Sequence, residues 1–134
     1  MKIRNIYSYM YYRLATWYFR YEKKSNISYG ATALVSLSQI FILLDIGGTI
    51  FLLNYSRSER IMLFKKYLPF YITFLIIVTF VNDFIFRNEY DKYDQKWKNE
   101  SENERTMHGI IIALFIIIPL IYMPIILNIF DFTA

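Results

Sequence analysis

An all-α integral membrane fold, with three transmembrane helices preceded by an amphipathic interfacial helix, is what this chain predicts. Three observations carry that reading. Apolar runs extend from Ala31 to Leu53, Tyr67 to Phe86 and His108 to Phe130. Each meets the roughly 20 residues that a helix rising about 1.5 Å per residue needs to cross about 30 Å of hydrocarbon. The chain is 56% hydrophobic yet 19% charged, and the two populations are segregated: inside the runs the formal charges are Asp45 and Asp83, while every Lys and Arg lies in the flanks and loops. Finally, residues 2 to 24 repeat apolar positions with helical period. Short connections join the runs, so residues 1–134 are read as a single membrane domain.

In residues 2 to 24, Ile3, Ile6, Tyr7, Met10, Leu14, Trp17, Tyr18 and Tyr21 fall on one arc at 100° per residue, while Arg13, Arg20 and other polar residues lie mostly outside it. Trp and Tyr favour the headgroup level, where the ring is buried and the polar tip stays wet. The segment is therefore expected to lie on the membrane, with Trp17, Tyr18, Tyr21, Arg13 and Arg20 as interfacial anchors. Packing on the protein's own loops or on a partner subunit is the alternative, since aromatic stripes serve protein contacts equally well.

Ser25 to Gly30 interrupts the pattern and leads into the first span. Insertion of that span is the least favoured of the three, because Gln39, Asp45 and the Gly47-Gly48 pair oppose the insertion that its Leu, Ile, Val and Phe favour. Ser56-Arg57-Ser58-Glu59 fits a capping box and predicts a helix start well before the second run. Beyond Phe86 the residues Tyr90, Tyr93 and Trp97 keep a helical stripe, which predicts that the second helix continues to about residue 98 and turns at Asn99. Ser101 with Glu104 makes a second capping box opening the third helix. Residues 87–107 are read as a polar helical hairpin with a solvated face. In the third run Pro119 and Pro124 remove backbone donors, and neighbouring helices or hydroxyls are expected to satisfy the freed carbonyls.

Residues 1–30 and 87–107 share one side of a three-span chain and hold 11 Lys and Arg, against 4 in residues 54–66. The positive-inside bias puts that side in the cytoplasm of a bacterial cytoplasmic membrane, an organellar inner membrane being the alternative.

The candidate chemistry is sparse. No cysteine is present, which excludes disulfides, thiolate metal sites and cysteine nucleophiles; a single His108 excludes multi-histidine centres within one chain. No metal or cofactor is expected. Asp45 stands out, lying about 21 Å along a helix that starts at Ala31. An intramembrane carboxylate marks an ion or proton path, a pairing with a partner's basic residue, or a structural hydrogen bond. Ser38, Asp45 and Thr49 share one stripe, and depth matching places Tyr122 near Asp45 as a hydroxyl donor. Asp83 lies about 6 Å from the end of its span, where Arg87 one turn on can solvate it. Leu44 to Thr49 resembles the D-I-G-G-T phosphate loop of the actin-like sugar kinases, a resemblance that implies a strand-turn-strand unit in a far longer soluble chain. Inside an apolar span it implies no kinase.

These features predict a non-enzymatic accessory or structural subunit of a larger membrane complex. The alternative is a homo-oligomeric channel or membrane-permeabilising effector lined by Ser38, Asp45 and Thr49. The expected partners are the lipid bilayer and other membrane subunits or further copies of this chain, and no nucleic acid.

Overall fold

The computed structural model describes residues 3–21 and 23–133, with side chains described for all of these except 3, 4 and 130–133. Lys2, Glu22 and the side chains of Ile3 and Arg4, which the sequence places in the N-terminal helix, lie outside the described residues. Five helices follow one another: α1 (Ile3–Tyr18), α2 (Tyr29–Asn54), α3 (Arg57–Phe86), α4 (Tyr90–Trp97) and α5 (Glu102–Thr133). No strand occurs among the described residues. The three apolar runs lie in α2, α3 and α5, and these three helices are long and apolar enough to cross a membrane.

The helix starts follow local chemistry. At α3 the Ser56 N–H donates to Glu59 at 2.8 Å, closing the expected capping box. At α5 the Ser101 N–H donates to Glu104 at 3.1 Å, while the Glu104 N–H returns to Ser101 Oγ at 3.3 Å. Both boxes satisfy donors that a helix N-terminus leaves unpaired. The start of α2 uses a cap that the sequence reading did not assign: Ser28 Oγ accepts the Ala31 N–H at 3.3 Å.

Two expected boundaries are corrected. The N-terminal helix ends at Tyr18 rather than near residue 24, because Arg20 and Tyr21 donate to carbonyls only three residues back, at Trp17 and Tyr18. Such i→i+3 bonds tighten and end a helical turn. The second helix stops at Phe86 instead of running to residue 98. Asn88 adopts φ 61, a left-handed conformation that asparagine tolerates better than most residues, and its N–H is taken by the carbonyl of Asn26 at 2.9 Å. The stripe of Tyr90, Tyr93 and Trp97 therefore belongs to a separate short helix, α4. The expected turn near Asn99 is present between α4 and α5.

Helix α2 is the hub, with α1, α3 and α5 all packed on it. It runs parallel to α5 and antiparallel to α3. The start of α2, the end of α3 and the start of α5 meet at one end of the bundle, where α1 and α4 also sit. The core lies there: Tyr9, Met10, Tyr11 and Ala15 of α1 are fully buried, with Ala31, Val35, Phe86 and Ile112 from the three long helices. Four consecutive buried residues, Tyr9 to Tyr12, cover the whole circumference of a helix turning 100° per residue. In its middle, then, α1 is enclosed by protein on all sides.

Candidate functional site

Two polar assemblies are built on this frame. The first runs along α2. Thr32 Oγ1 donates to the carbonyl of Ser28 at 3.0 Å and Ser36 Oγ to that of Thr32 at 2.8 Å, two successive bonds one turn apart. Asn82 of α3, 4% exposed, then reaches across with its amide to Ser36 Oγ at 2.9 Å and Gln39 Oε1 at 2.8 Å. Gln39 is thus a link to α3. Asn82, the other half of that link, is signalled in the sequence only as an amide inside an apolar run.

Toward α5 the same helix presents Ser38, Asp45 and Thr49. Ser38 Oγ donates to the Phe115 carbonyl at 3.2 Å. Phe115 lies four residues before Pro119, so its carbonyl is the one that the proline leaves without an intrahelical donor. A neighbouring hydroxyl supplies the missing bond. Thr49 Oγ1 lies 2.9 Å from the Tyr122 hydroxyl and donates to the Asp45 carbonyl at 2.7 Å. Because the threonine proton is spent on that carbonyl, Tyr122 donates to Thr49. The tyrosine therefore arrives at the expected depth but bonds Thr49 and not the Asp45 side chain. The end of the Met123 side chain of α5 packs over Gly48, where a Cβ would meet its Cε at 2.2 Å. The Asp45 carboxylate, flanked along the helix by these two inter-helix bonds, is half-buried and has no hydrogen bond or ion pair among the described residues.

The second assembly closes the core end. Glu100, in the turn between α4 and α5, has a side chain only 6% exposed and accepts from two directions. The Tyr9 hydroxyl donates to Oε2 and the His108 ring bonds Oε1 through Nδ1. An ionised Glu100 can only accept, and against it the donor is His108 Nδ1–H. The Tyr9 ring stands edge-on to Trp97 at 5.1 Å and to His108 at 4.9 Å. Burial first, and then the Glu100 bond, push the Tyr9 phenol well above the ordinary tyrosine range, so it stays neutral. Tyr12 donates to Asp94 at 3.2 Å and is likewise raised, by burial and then by Asp94. Tyr11 stacks on Phe86 with centroids 4.4 Å apart and donates no charge to the site; its hydroxyl accepts the Ser28 N–H at 3.1 Å.

The polar segment 87–107 is consequently more than a solvated face. Glu100 and Asp94 turn inward to α1, a role that charge counting alone could not assign. Asp83 behaves as the sequence indicates, paired with Arg87 at 2.7 Å. Among the five residues read as anchors, Tyr18 lies over Gly30, Arg13 is half-buried, and Trp17, Arg20 and Tyr21 are exposed.

These arrangements join helices: Asn82 ties α3 to α2, Ser38 and Thr49 tie α2 to α5, and Glu100 ties α1 to α5. Among the described residues no group of three or more His, Cys, Asp or Glu could hold a metal ion. Leu44 to Thr49 is continuous helix, so the strand-turn-strand unit implied by the phosphate-loop resemblance is not formed. No protein-family model matches the chain, and no curated protein or solved structure matches it either.

Proposed function

We propose that this chain is a small multi-pass membrane protein serving as a non-enzymatic accessory or structural subunit of a larger membrane complex. One observation carries the proposal: Ser36, Ser38, Gln39 and Thr49 inside the apolar run of α2 all find partners within the chain, and the Asp45 carboxylate finds none among the described residues. A carboxylate near the middle of a span opposes insertion by about 2.5–3.5 kcal/mol. A basic side chain from a neighbouring subunit is the complement that would offset that cost. The apolar surface fits such a neighbour: the buried residues of α3 are Asn82 and Phe86, both at its core end, and along the stretch that packs on α2 the side chains of Phe70, Ile77, Phe80 and Val81 stay exposed to lipid and partner helices.

In this reading the N-terminus and residues 87–107 face the cytoplasm of a bacterial membrane, in keeping with the basic excess on that side. A pore lined by Ser38, Asp45 and Thr49 is less well supported, because both hydroxyls are already bonded to α5. Native mass spectra of the tagged protein, gently extracted from its own membrane, test the proposal. Foreign subunits in fixed stoichiometry are expected, and they should be lost from Asp45→Leu. An unchanged complex in that variant would remove the role of Asp45, and a closed ring of identical chains would transfer the assignment to the pore.

A further inference from the structure

We infer that the C-terminal end of α1 and the start of α2 form a binding site for the headgroup of an anionic phospholipid. The inference rests on the membrane reading above. The depth of the site is set by Tyr18, whose ring lies against Gly30: a Cβ on Gly30 would meet Tyr18 Cζ at 2.6 Å. That contact pins this end of α1 beside the first turn of a candidate span, the level at which headgroups lie.

The aromatic rings here behave differently from those in the rest of α1. Tyr9 and Tyr11 are 0% exposed, whereas Trp17 is 51%, Tyr21 76% and Tyr29 68% exposed. Trp17 and Tyr21 meet edge-on at 5.4 Å. Such rings favour the interface, where the apolar face enters the acyl region and the polar edge stays hydrated. The neighbouring cations also divide into two kinds. Lys24 is bound to Asp91 at 2.6 Å and Arg87 to Asp83 at 2.7 Å. Arg20 and Lys23 are exposed and have no ion pair among the described residues. Even counting Glu22, residues 20–24 are net positive. A guanidinium fork and an ammonium close in the chain to the exposed rings, at headgroup depth, suit a phosphodiester with net negative charge. The interfacial role expected from the sequence is thereby confined to one end of the helix.

The test uses the full chain carrying Trp97→Phe, which leaves Trp17 as the sole tryptophan, reconstituted in phosphatidylcholine vesicles with and without phosphatidylglycerol. Each lipid in turn is supplied with bromine near its glycerol. Brominated phosphatidylglycerol is expected to quench Trp17 more strongly than brominated phosphatidylcholine at equal mole fraction. Arg20→Gln and Lys23→Gln should each weaken that preference about fivefold. Equal quenching by the two lipids, in protein that resists alkaline extraction, would overturn the inference while leaving the membrane reading intact. Quenching by neither would mean that protein covers the patch, and loss of the preference in millimolar inorganic phosphate would mean a free-anion site; both overturn it. Extraction of the chain by alkali would instead bring down the membrane reading itself.

Discussion

The two ends of α2 are built on opposite terms. At its start the chain is self-sufficient: the middle of α1 is enclosed, Glu100 holds Tyr9 and His108 together, and no buried side-chain polar atom among the described residues lacks a partner. Farther along, past the Ser38 bond to α5, the packing opens. Leu43, Ile46, Ile50 and Leu53 are exposed, and the half-buried Asp45 carboxylate makes no bond. The contrast separates residues that hold the fold together from those available to something outside it. Aromatic bulk and satisfied acids do the first job, about 1.5–3 kcal/mol for each large apolar side chain fully buried. An unmatched acid between two satisfied hydroxyls is suited to the second.

The sharpest way to break this contrast is Glu100→Ala. It strands a fully buried Tyr9 hydroxyl and deprives His108 of its partner, so a loss of about 2–4 kcal/mol is expected. Unfolding in mixed detergent micelles followed by circular dichroism would measure it. A loss below 1 kcal/mol would show that this end is held by apolar packing alone. Asn82→Leu removes two bonds between α2 and α3 and should cost about 1–1.5 kcal/mol by the same assay. Ser38→Ala frees one carbonyl that Pro119 has already deprived of its donor, for about 0.5 kcal/mol. Asp45→Asn, in contrast, should leave the isolated chain as stable as before, and a clear destabilisation would place Asp45 among the structural residues.

The smallest effect concerns pH. Bonds from the Ser101 side chain and backbone hold the Glu104 carboxyl below the ordinary glutamate range. Its contribution is therefore complete above that range and fades as pH falls through the lowered value. Amide protection factors over residues 102–106 should fall in acid while those of the Tyr9–Tyr12 turn hold. Protection falling equally in both would mean that the acid acts on the core end as a whole.

Much of this was legible in the residues themselves. Period and length gave the three long helices, and the Ser-x-x-Glu spacing gave two of their starts. Proline position foretold that carbonyls in α5 would look for hydroxyl donors. What escaped the sequence was non-local. Burial of Tyr9, Tyr11 and Tyr12, which lie outside the apolar arc, depends on α4 folding back over α1; that in turn depends on one left-handed residue, Asn88. An acid in a polar loop reads as solvated until its tertiary neighbours are known, so Glu100 and Asp94 were hidden in a run of like residues. Tyr122 shows the limit of depth counting: rise per residue set its level, but which oxygen it met depended on side-chain rotation and on Thr49 standing between.

Carbodiimide labelling of Asp45 tests the central claim most directly. The reagent modifies carboxyl groups in apolar surroundings, and Asp45→Asn supplies the blank. If a partner subunit covers this group, Asp45 is modified in the isolated chain, protected in the native membrane, and modified again once partners are stripped. Equal modification in the isolated chain and the native membrane would contradict the account, since nothing would then be seated on the one carboxylate of α2, which the fold leaves unmatched.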